Sequence, residues 1–447
     1  MPVSPARTAA FEILLRVETR GAYASELLHS GICEKLSSAD QGLATEIVMG
    51  VLRWRSVIDS AIAEVSSLNL EKLDPEVLIA LRLGTYQLRW LERVPARAAI
   101  HESVELVKQA RKRSAAPFAN AVLRKIADSP SASSFQPWLI GAASDAHSLA
   151  DAMAHPQWLV QTWCNQFGLE EAQRICAYDQ TIPVTAVRLS TPDAEEKLRE
   201  EGIGIAAGNF LSRTRRIVSG DVTKTQAYAD GRIAIQDEAS QLVAALVGRG
   251  QRILDCCAAP GGKTSAMAER NPEATVVAIE LHSHRAELLR KRVRARNVQV
   301  IHSDILEFSA GELFDRVLVD VPCSGTGTLA RNPEIKWRLK PEDLNDLQTR
   351  QVAIVRSAMK HVGRGGRLIY STCSLQREED EDVIEQAMHA SPDFRLIPVE
   401  EELKRLRGEG ELTVESFTSL LSGAHLRTIP GIHACDGFFA AILERSK

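Results

Sequence analysis

Residues 252–264 read RILDCCAAPGGKT, and this stretch decides the fold. The apolar run ends near Cys256, the glycines mark a tight turn, and a helix is expected to begin near Gly262. Small residues at such a turn let backbone amides approach a ligand, and a helix start favours negative charge. Downstream the pattern recurs in TVVAIEL (275–281), VQVIHSD (298–304), DRVLVDV (315–321) and GRLIYST (366–372), with a helical segment between each and the next. Strands alternating with helices predict a parallel sheet covered on both faces. FRLIPV (394–399) and FFAAILER (438–445) complete a mostly parallel, seven-stranded Rossmann-like sheet, the latter as an antiparallel hairpin partner.

Upstream the pattern changes. From Ser4 to Ile126 the chain reads as almost all helix, opened by the cap-and-first-turn pair Ser4 and Pro5. Further helices are expected near 39–65, 75–92, 98–113 and 117–127, punctuated by Asp40, Asp74 and Pro95. The stretch SPSASSFQP (129–137) is aperiodic and predicts a linker. PVTAVRLS (183–190) then reads as a strand, and TPDAEEKLREEG (191–202) as a capped helix ended by Gly202. The expected organisation is a helical domain over 1–130, a linker over 131–150, a small α+β module over 151–232 and an α/β domain over 233–447. Such a length exceeds one ordinary core. The start of the chain has no long apolar run, so neither a signal peptide nor a membrane helix is expected. Eight cysteines without an even framework read as reduced thiols in the cytoplasm. A net charge of −4 makes any basic, nucleic-acid-binding surface a local one.

Glycine-rich strand-to-helix turns hold dinucleotides, phosphates and S-adenosylmethionine alike. Two acids narrow the choice toward an adenosine-bearing cofactor: Glu280, ending the second strand, can accept both ribose hydroxyls, and Asp304, ending the third, can meet an adenine edge. The rival is a P-loop. CAAPGGKT departs from GxxxxGK[ST] only at Cys257, where the first glycine belongs, and cysteine takes the positive φ of that position at a cost. A P-loop also has no use for the acid at Glu280.

Two cysteines each follow a strand, Cys323 in DVPCSGTGT and Cys373 in YSTCS. Ligands of such sheets bind at that edge. Methylation of cytosine carbon 5 calls for this chemistry, because the ring carbon is a poor nucleophile until a thiolate adds to carbon 6. A free thiol, with a pKa of about 8.5, needs a nearby cation or helix start to ionise at neutral pH. Charge developing on the ring at nitrogen 3 and oxygen 2 must also be stabilised, and Asp320 suits this if burial keeps its carboxyl partly protonated. The second thiol can release the product. From the residues alone the two cysteines cannot be ordered. Cys33, Cys164, Cys176, Cys256 and Cys435 read as small core residues. With no CxxC pair and no His-x-x-x-His helix, no metal site is expected.

At these residues the chain resembles the RsmB (Sun/Fmu) type of ribosomal-RNA cytosine-5 methyltransferase within the NOP2/Sun family. The blocks are HPQWLVQTW, IQDEASQLVA, LDCCAAPGGKT, VDVPCSGTGTLARNPEIKW, YSTCSLQREEDE and DGFFAAILE, in that order. LRLGTYQLRWLERVPARAAIHESVELVK and FANAVLRKIA resemble the helical RNA-binding fold of the antitermination factor NusB. The resemblance implies a class I methyltransferase domain, a ribosomal-RNA partner, small-subunit (16S) RNA as substrate and no obligate protein partner. It implies that Cys373 is the nucleophile and that Cys323 assists release. S-adenosylmethionine binding carries over to Cys257, Ala258, Ala259, Pro260, Gly261, Gly262 and Lys263, then to Glu280, Asp304 and Asp320. Departures are Glu280 for the usual aspartate, Ser190 for an asparagine, and Arg377 and Asp380 for proline and asparagine. Basic groups at Arg331, Lys336, Arg338 and Lys340, at 285–296, and at Lys108 to Arg113 are candidates for RNA contact, although such runs are commonly solvated helix faces. An idle RNA-binding assembly factor would show degraded motifs, and these are intact. An amine methyltransferase would need no pair of thiols.

Overall fold

The computed structural model describes residues 3–129 and 143–446. The chain forms two compact units, Met1–Ile182 with Leu329–Arg338, and Pro183–Thr328 with Leu339–Lys447. This division differs from the four segments expected from sequence, because residues 151–182 pack with the first unit. There the helix Gln157–Phe167 buries Leu159, Val160 and Trp163, and the helix Leu169–Asp179 buries Ile175 and Cys176. The excursion Leu329–Arg338 joins the same unit through backbone polar groups. Lys336 Nζ donates to the carbonyls of Arg53 and Ala154, each at 2.9 Å, and Trp337 Nε1 donates to that of Leu52 at 2.6 Å.

The first unit is helical, its apolar faces meeting in one core that includes Ile13, Val17, Ile47, Val51, Ile79 and Leu83. Burying each such side chain stabilises by roughly 1.5–3 kcal/mol. The helix expected near 39–65 is two helices, Ser38–Arg53 and Arg55–Val65, which break at Trp54 (φ −102°, ψ 17°). The cap is Ser37, whose hydroxyl accepts from the Asp40 amide, so Asp40 stands in the first turn rather than before it. Residues 131–142 of the expected linker lie outside the described residues. Its remainder is partly helical: Ala146–Ala152 forms a helix because Asp145 and Ser148 make a capping box.

The second unit holds two sheets. Strands β1 (Ala186–Leu189), β2 (Gly204–Ala207), β3 (Thr214–Ser219) and β4 (Ile233–Ile235) form an antiparallel sheet in the order β2-β3-β1-β4. The larger sheet contains β5 (Arg252–Asp255), β6 (Thr275–Glu280), β7 (Val298–His302), β8 (Phe314–Asp320), β9 (Val362–Thr372), β10 (Phe394–Ile397), β11 (Leu421–Ser422), β12 (His425–Thr428) and β13 (Phe438–Arg445). Its order is β11-β12-β13-β9-β8-β5-β6-β7, with β10 also paired to β13. Strands β5 to β9 run parallel, and β13 lies antiparallel between β9 and β12. All seven strands read from the sequence are present. The two further strands, β11 and β12, are a short hairpin that carries no legible alternation.

The central strands are apolar on both faces, with Leu254, Val317 to Val319, Leu368 to Tyr370 and Phe439 to Leu443 fully buried. The chain turns outward from β5 to β6 and β7, then returns to β8 on the other side of β5. That reversal opens a crevice at the carboxyl ends of β5 and β8, where a ligand can enter. No helix among the described residues is long and apolar enough to cross a membrane.

Candidate active site

Register brings the two cysteines together. In the parallel pair β8 and β9, Asp320 lies opposite Ser371, so the next residues of both strands leave the sheet at one level. Cys323 and Cys373 then face each other, Sγ to Sγ 3.2 Å apart, and both are half-buried. They line a cavity of about 250 Å³ together with Cys257, Ala259, Glu280, Asp304 and Asp320. The loop after Cys323 closes behind Cys373. Gly327 N donates to the Cys373 carbonyl at 2.9 Å, and Gly437 N donates to the Gly327 carbonyl at 2.7 Å. A Cβ on Gly327 would lie 2.2 Å from the Gly437 oxygen, so only glycine permits this crossing.

The turn after β5 leads into the helix Gly262–Arg270, with Gly261 at φ 106°. A side chain on Gly261 would be strained by that backbone and would meet Leu289 at 2.7 Å. Ala258 packs inward on Ala278 and Leu289. Of the turn residues, Cys257 and Ala259 face the cavity, while Pro260 to Gly262 shape the bend. Asp255 is buried beneath it and accepts from the Thr264 hydroxyl at 2.7 Å. Burial pushes its carboxyl up to about 7, against the smaller opposing effect of Thr264.

Glu280, 4% exposed, ends β6 and accepts from the His282 amide at 2.9 Å. Arg285 lies 3.8 Å from it and donates to the Ala259 carbonyl at 3.1 Å. Asp304 follows β7 and accepts from the Leu306 amide at 2.9 Å. Leu281, Ile305 and Leu306 add apolar walls. A carboxylate at a strand end, flanked by apolar walls and by two more acids, fits an adenosine that carries a sulfonium. Arg285 was not singled out among the cofactor residues by the sequence, because within a basic helix it looks like a solvated charge.

Asp320 is gripped by donors rather than sealed by burial. It is half-buried, and both its oxygens have donors: Lys263 Nζ at 2.7 Å and the Ser371 hydroxyl at 2.7 Å. Burial disfavours the Lys263 ammonium, but the Asp320 carboxylate, with Cys373 beyond it, holds its pKa above the ordinary lysine value. Its Nζ also lies 4.8 Å from the centre of the Phe438 ring. A lysine committed to an aspartate does not serve as the phosphate-binding lysine of a P-loop. Cys323 is pushed well above the ordinary thiol range by its hydrogen bond with Cys373, by burial and by the negative charge of Glu379.

The basic groups divide. Lys336 and Arg338, expected to face RNA, turn into the first unit, where Arg338 donates to the carbonyls of Val17 and Gly21. Lys108, Arg111 and Arg113 are exposed, while Lys112 pairs with Asp74 at 3.0 Å. Among the departures, Asp380 is fully buried and accepts from Thr372 Oγ1 at 2.6 Å and from Arg427 at 3.1 Å. The cation supplies what a carboxylate needs in place of an amide. Ser190 donates to Glu269 at 3.2 Å, and Arg377 is an exposed partner of Asp382. Of the cysteines read as core, Cys164 is only half-buried.

Two families match this chain. The 16S rRNA methyltransferase RsmB/F family covers residues 245–444, and the NusB family covers residues 4–128. The probable ribosomal RNA small subunit methyltransferase B of Bacillus subtilis is 32% identical over 462 residues, all of both chains. The ribosomal RNA small subunit methyltransferase B of Pseudomonas putida is 31% identical, over 92% of each chain. The crystal structure of PH0851 superposes over the whole of both chains with a TM-score of 0.81 at 22% identity, a likeness of fold.

Proposed function

Starting from the fact that the chain belongs to the RsmB/F family of 16S rRNA methyltransferases, which use S-adenosylmethionine, we propose that it methylates carbon 5 of a cytosine in small-subunit ribosomal RNA. The observation that carries this reading is the 3.2 Å approach of Cys323 and Cys373 at the rim of a cavity that also holds Asp320. Neither an amine nor an oxygen acceptor would need two thiols there.

In the proposed reaction Cys373 Sγ bonds to carbon 6 of the ring, which makes carbon 5 nucleophilic. S-adenosylmethionine, when bound along Glu280 and Asp304, supplies the methyl group. Lys263 is the nearby cation a thiolate requires. Asp320 lines the same cavity, and the Lys263 ammonium 2.7 Å from it keeps positive charge beside the place where charge grows on the ring. Water entering the cavity takes the carbon 5 proton, the electron pair of that C–H bond reforms the ring double bond, and the Cys373–carbon 6 bond breaks with its pair on sulfur. Cys323, which keeps its proton, donates it to the departing Cys373 sulfur. Its place 3.2 Å from the Cys373 sulfur supports the reading of Cys323 as release group.

An extruded base needs a protein surface to hold the rest of the RNA. That role belongs, in this reading, to the NusB-like region 1–130 and to the part of the expected 151–232 module that forms β1 to β4. All eight cysteines are free, as a thiol-dependent enzyme of the reducing cytoplasm requires.

The test is substitution of each thiol. Cys373→Ala should abolish methyl transfer while cofactor affinity, measured by calorimetry, stays as in the wild type. Cys323→Ala should accumulate a covalent protein–RNA adduct on denaturing gels. Normal turnover by the first variant would overturn the assignment, and free methylated product at the wild-type rate from the second would remove its release role.

A further inference from the structure

Behind the two thiols lies a buried carboxylate that the proposed reaction does not use. Glu379, fully buried, sits in a short helical turn after Cys373. Its Oε1 accepts from the Ser324 amide at 2.8 Å and from Gln351 Nε2 at 2.9 Å. Its Oε2 accepts from the Ser374 hydroxyl at 2.5 Å and from the Ser324 hydroxyl. Ser324 directly follows Cys323, and Ser374 directly follows Cys373. One carboxylate therefore grips both cysteine-bearing turns.

The grip is braced. Tyr370, fully buried in β9, donates its hydroxyl to the Glu379 carbonyl at 2.5 Å. Gln351 also donates to the Pro322 carbonyl at 3.0 Å, on the other side of Cys323. The hydroxyls of Ser324 and Ser374 meet at 3.1 Å. Beyond Asp320 and Ser371 the paired register ends, and past it the Gly327 amide to Cys373 carbonyl bond leaves much of the separation of the two loops to be fixed by side chains. A charged acceptor with four donors supplies that constraint, because charge-assisted hydrogen bonds are short and directional.

We propose that Glu379 is a positioning residue that holds the turns of Cys323 and Cys373 at the spacing the two-thiol chemistry needs. It touches no reacting atom and acts through Ser324 and Ser374. The proposal rests on the reading of the two cysteines as the reacting pair, but its geometry can be measured without RNA.

The experiment is disulfide trapping in the full-length protein. A hydroperoxide converts one thiol to a sulfenic acid with loss of water or alcohol; the second thiol then attacks that sulfur, and water leaves as the bond closes. At 3.2 Å the wild-type pair should close quickly, seen as the loss of two titratable thiols and a tryptic cross-link between the two turns. Glu379→Gln turns one acceptor into a donor against the two serine hydroxyls, and Ser374→Ala removes one arm of the grip. Both should slow closure by about tenfold or more, with cofactor affinity and melting temperature close to wild type. Adduct formation with RNA should slow in parallel, with KM for RNA unchanged.

If Glu379→Gln does not fold, Ser374→Ala decides. Closure at the wild-type rate in the folded variants overturns the proposal. So does a loss of cofactor binding that matches the loss of closure, which marks a general structural role. Normal closure kinetics with no RNA adduct in the wild type would instead sink the cytosine reading and leave the clamp standing.

Discussion

Asp255 shows how a single residue under the cofactor turn sets a pH dependence. Its folded carboxyl titrates near 7, above its ordinary value of 3.8, because burial disfavours the charge. Between those two values the unfolded chain has released the proton and the folded chain has kept it. Stability from this site is therefore full below about pH 4 and falls as pH rises toward 7, by on the order of a few kcal/mol. Asp255→Asn should lack that slope, so urea unfolding across pH 4 to 7 should show a flatter profile than the wild type. An unchanged slope would assign the pH dependence elsewhere. The same local physics acts on the Cys323 thiol. Sequence places both cysteines at strand ends, and what raises the Cys323 thiol, its bond to Cys373 and its burial, comes from a partner fifty residues away along the chain.

At the scale of elements, the loop from Cys323 to Thr328 is held by a close glycine crossing as well as by side chains. Gly327→Ala would drive a methyl group into the Gly437 backbone, which has no flexible end to swing aside. Overpacking of this kind costs about 1–3 kcal/mol. The loop would also lift away from the Cys373 carbonyl, and a displacement of about 1 Å at reacting groups can cost roughly a hundredfold in rate. The expected outcome is a folded protein that binds its cofactor and transfers methyl groups on the order of a hundred times more slowly in single-turnover assays. The helices and strands themselves were legible because their apolar periods are strong. Their boundaries were less so: Trp54 breaks one helix without proline or glycine, and β11 with β12 is too short to show a period. The helix Ala146–Ala152 was hidden in a stretch whose composition resembles a linker, although Asp145 and Ser148 were a readable cap.

In the whole molecule, the NPEIKWR stretch shows how far chain order and spatial order differ. It follows the thiol loop in sequence, yet Leu329–Arg338 folds with the helical unit. Lys336 anchors it, and burial pushes its ammonium down to about 7. The unfolded lysine keeps its proton up to its ordinary value of 10.5, so folding binds fewer protons between those limits and stability rises with pH from about 7. Lys336→Met should remove that rise and leave the carbonyls of Arg53 and Ala154 without this donor, a loss on the order of 2–4 kcal/mol by denaturant titration. A variant as stable as the wild type, with the same pH profile, would contradict the anchor. Sequence alone determined the alternation of strand and helix, the glycine turn, the acids at strand ends and the presence of two thiols, because each is written in local spacing. Tertiary structure decided that Asp320 belongs to Lys263, that Lys336 turns inward, and that one buried carboxylate joins the turns of Cys323 and Cys373. Those facts depend on which distant side chains share a low-dielectric space, and no local pattern encodes that.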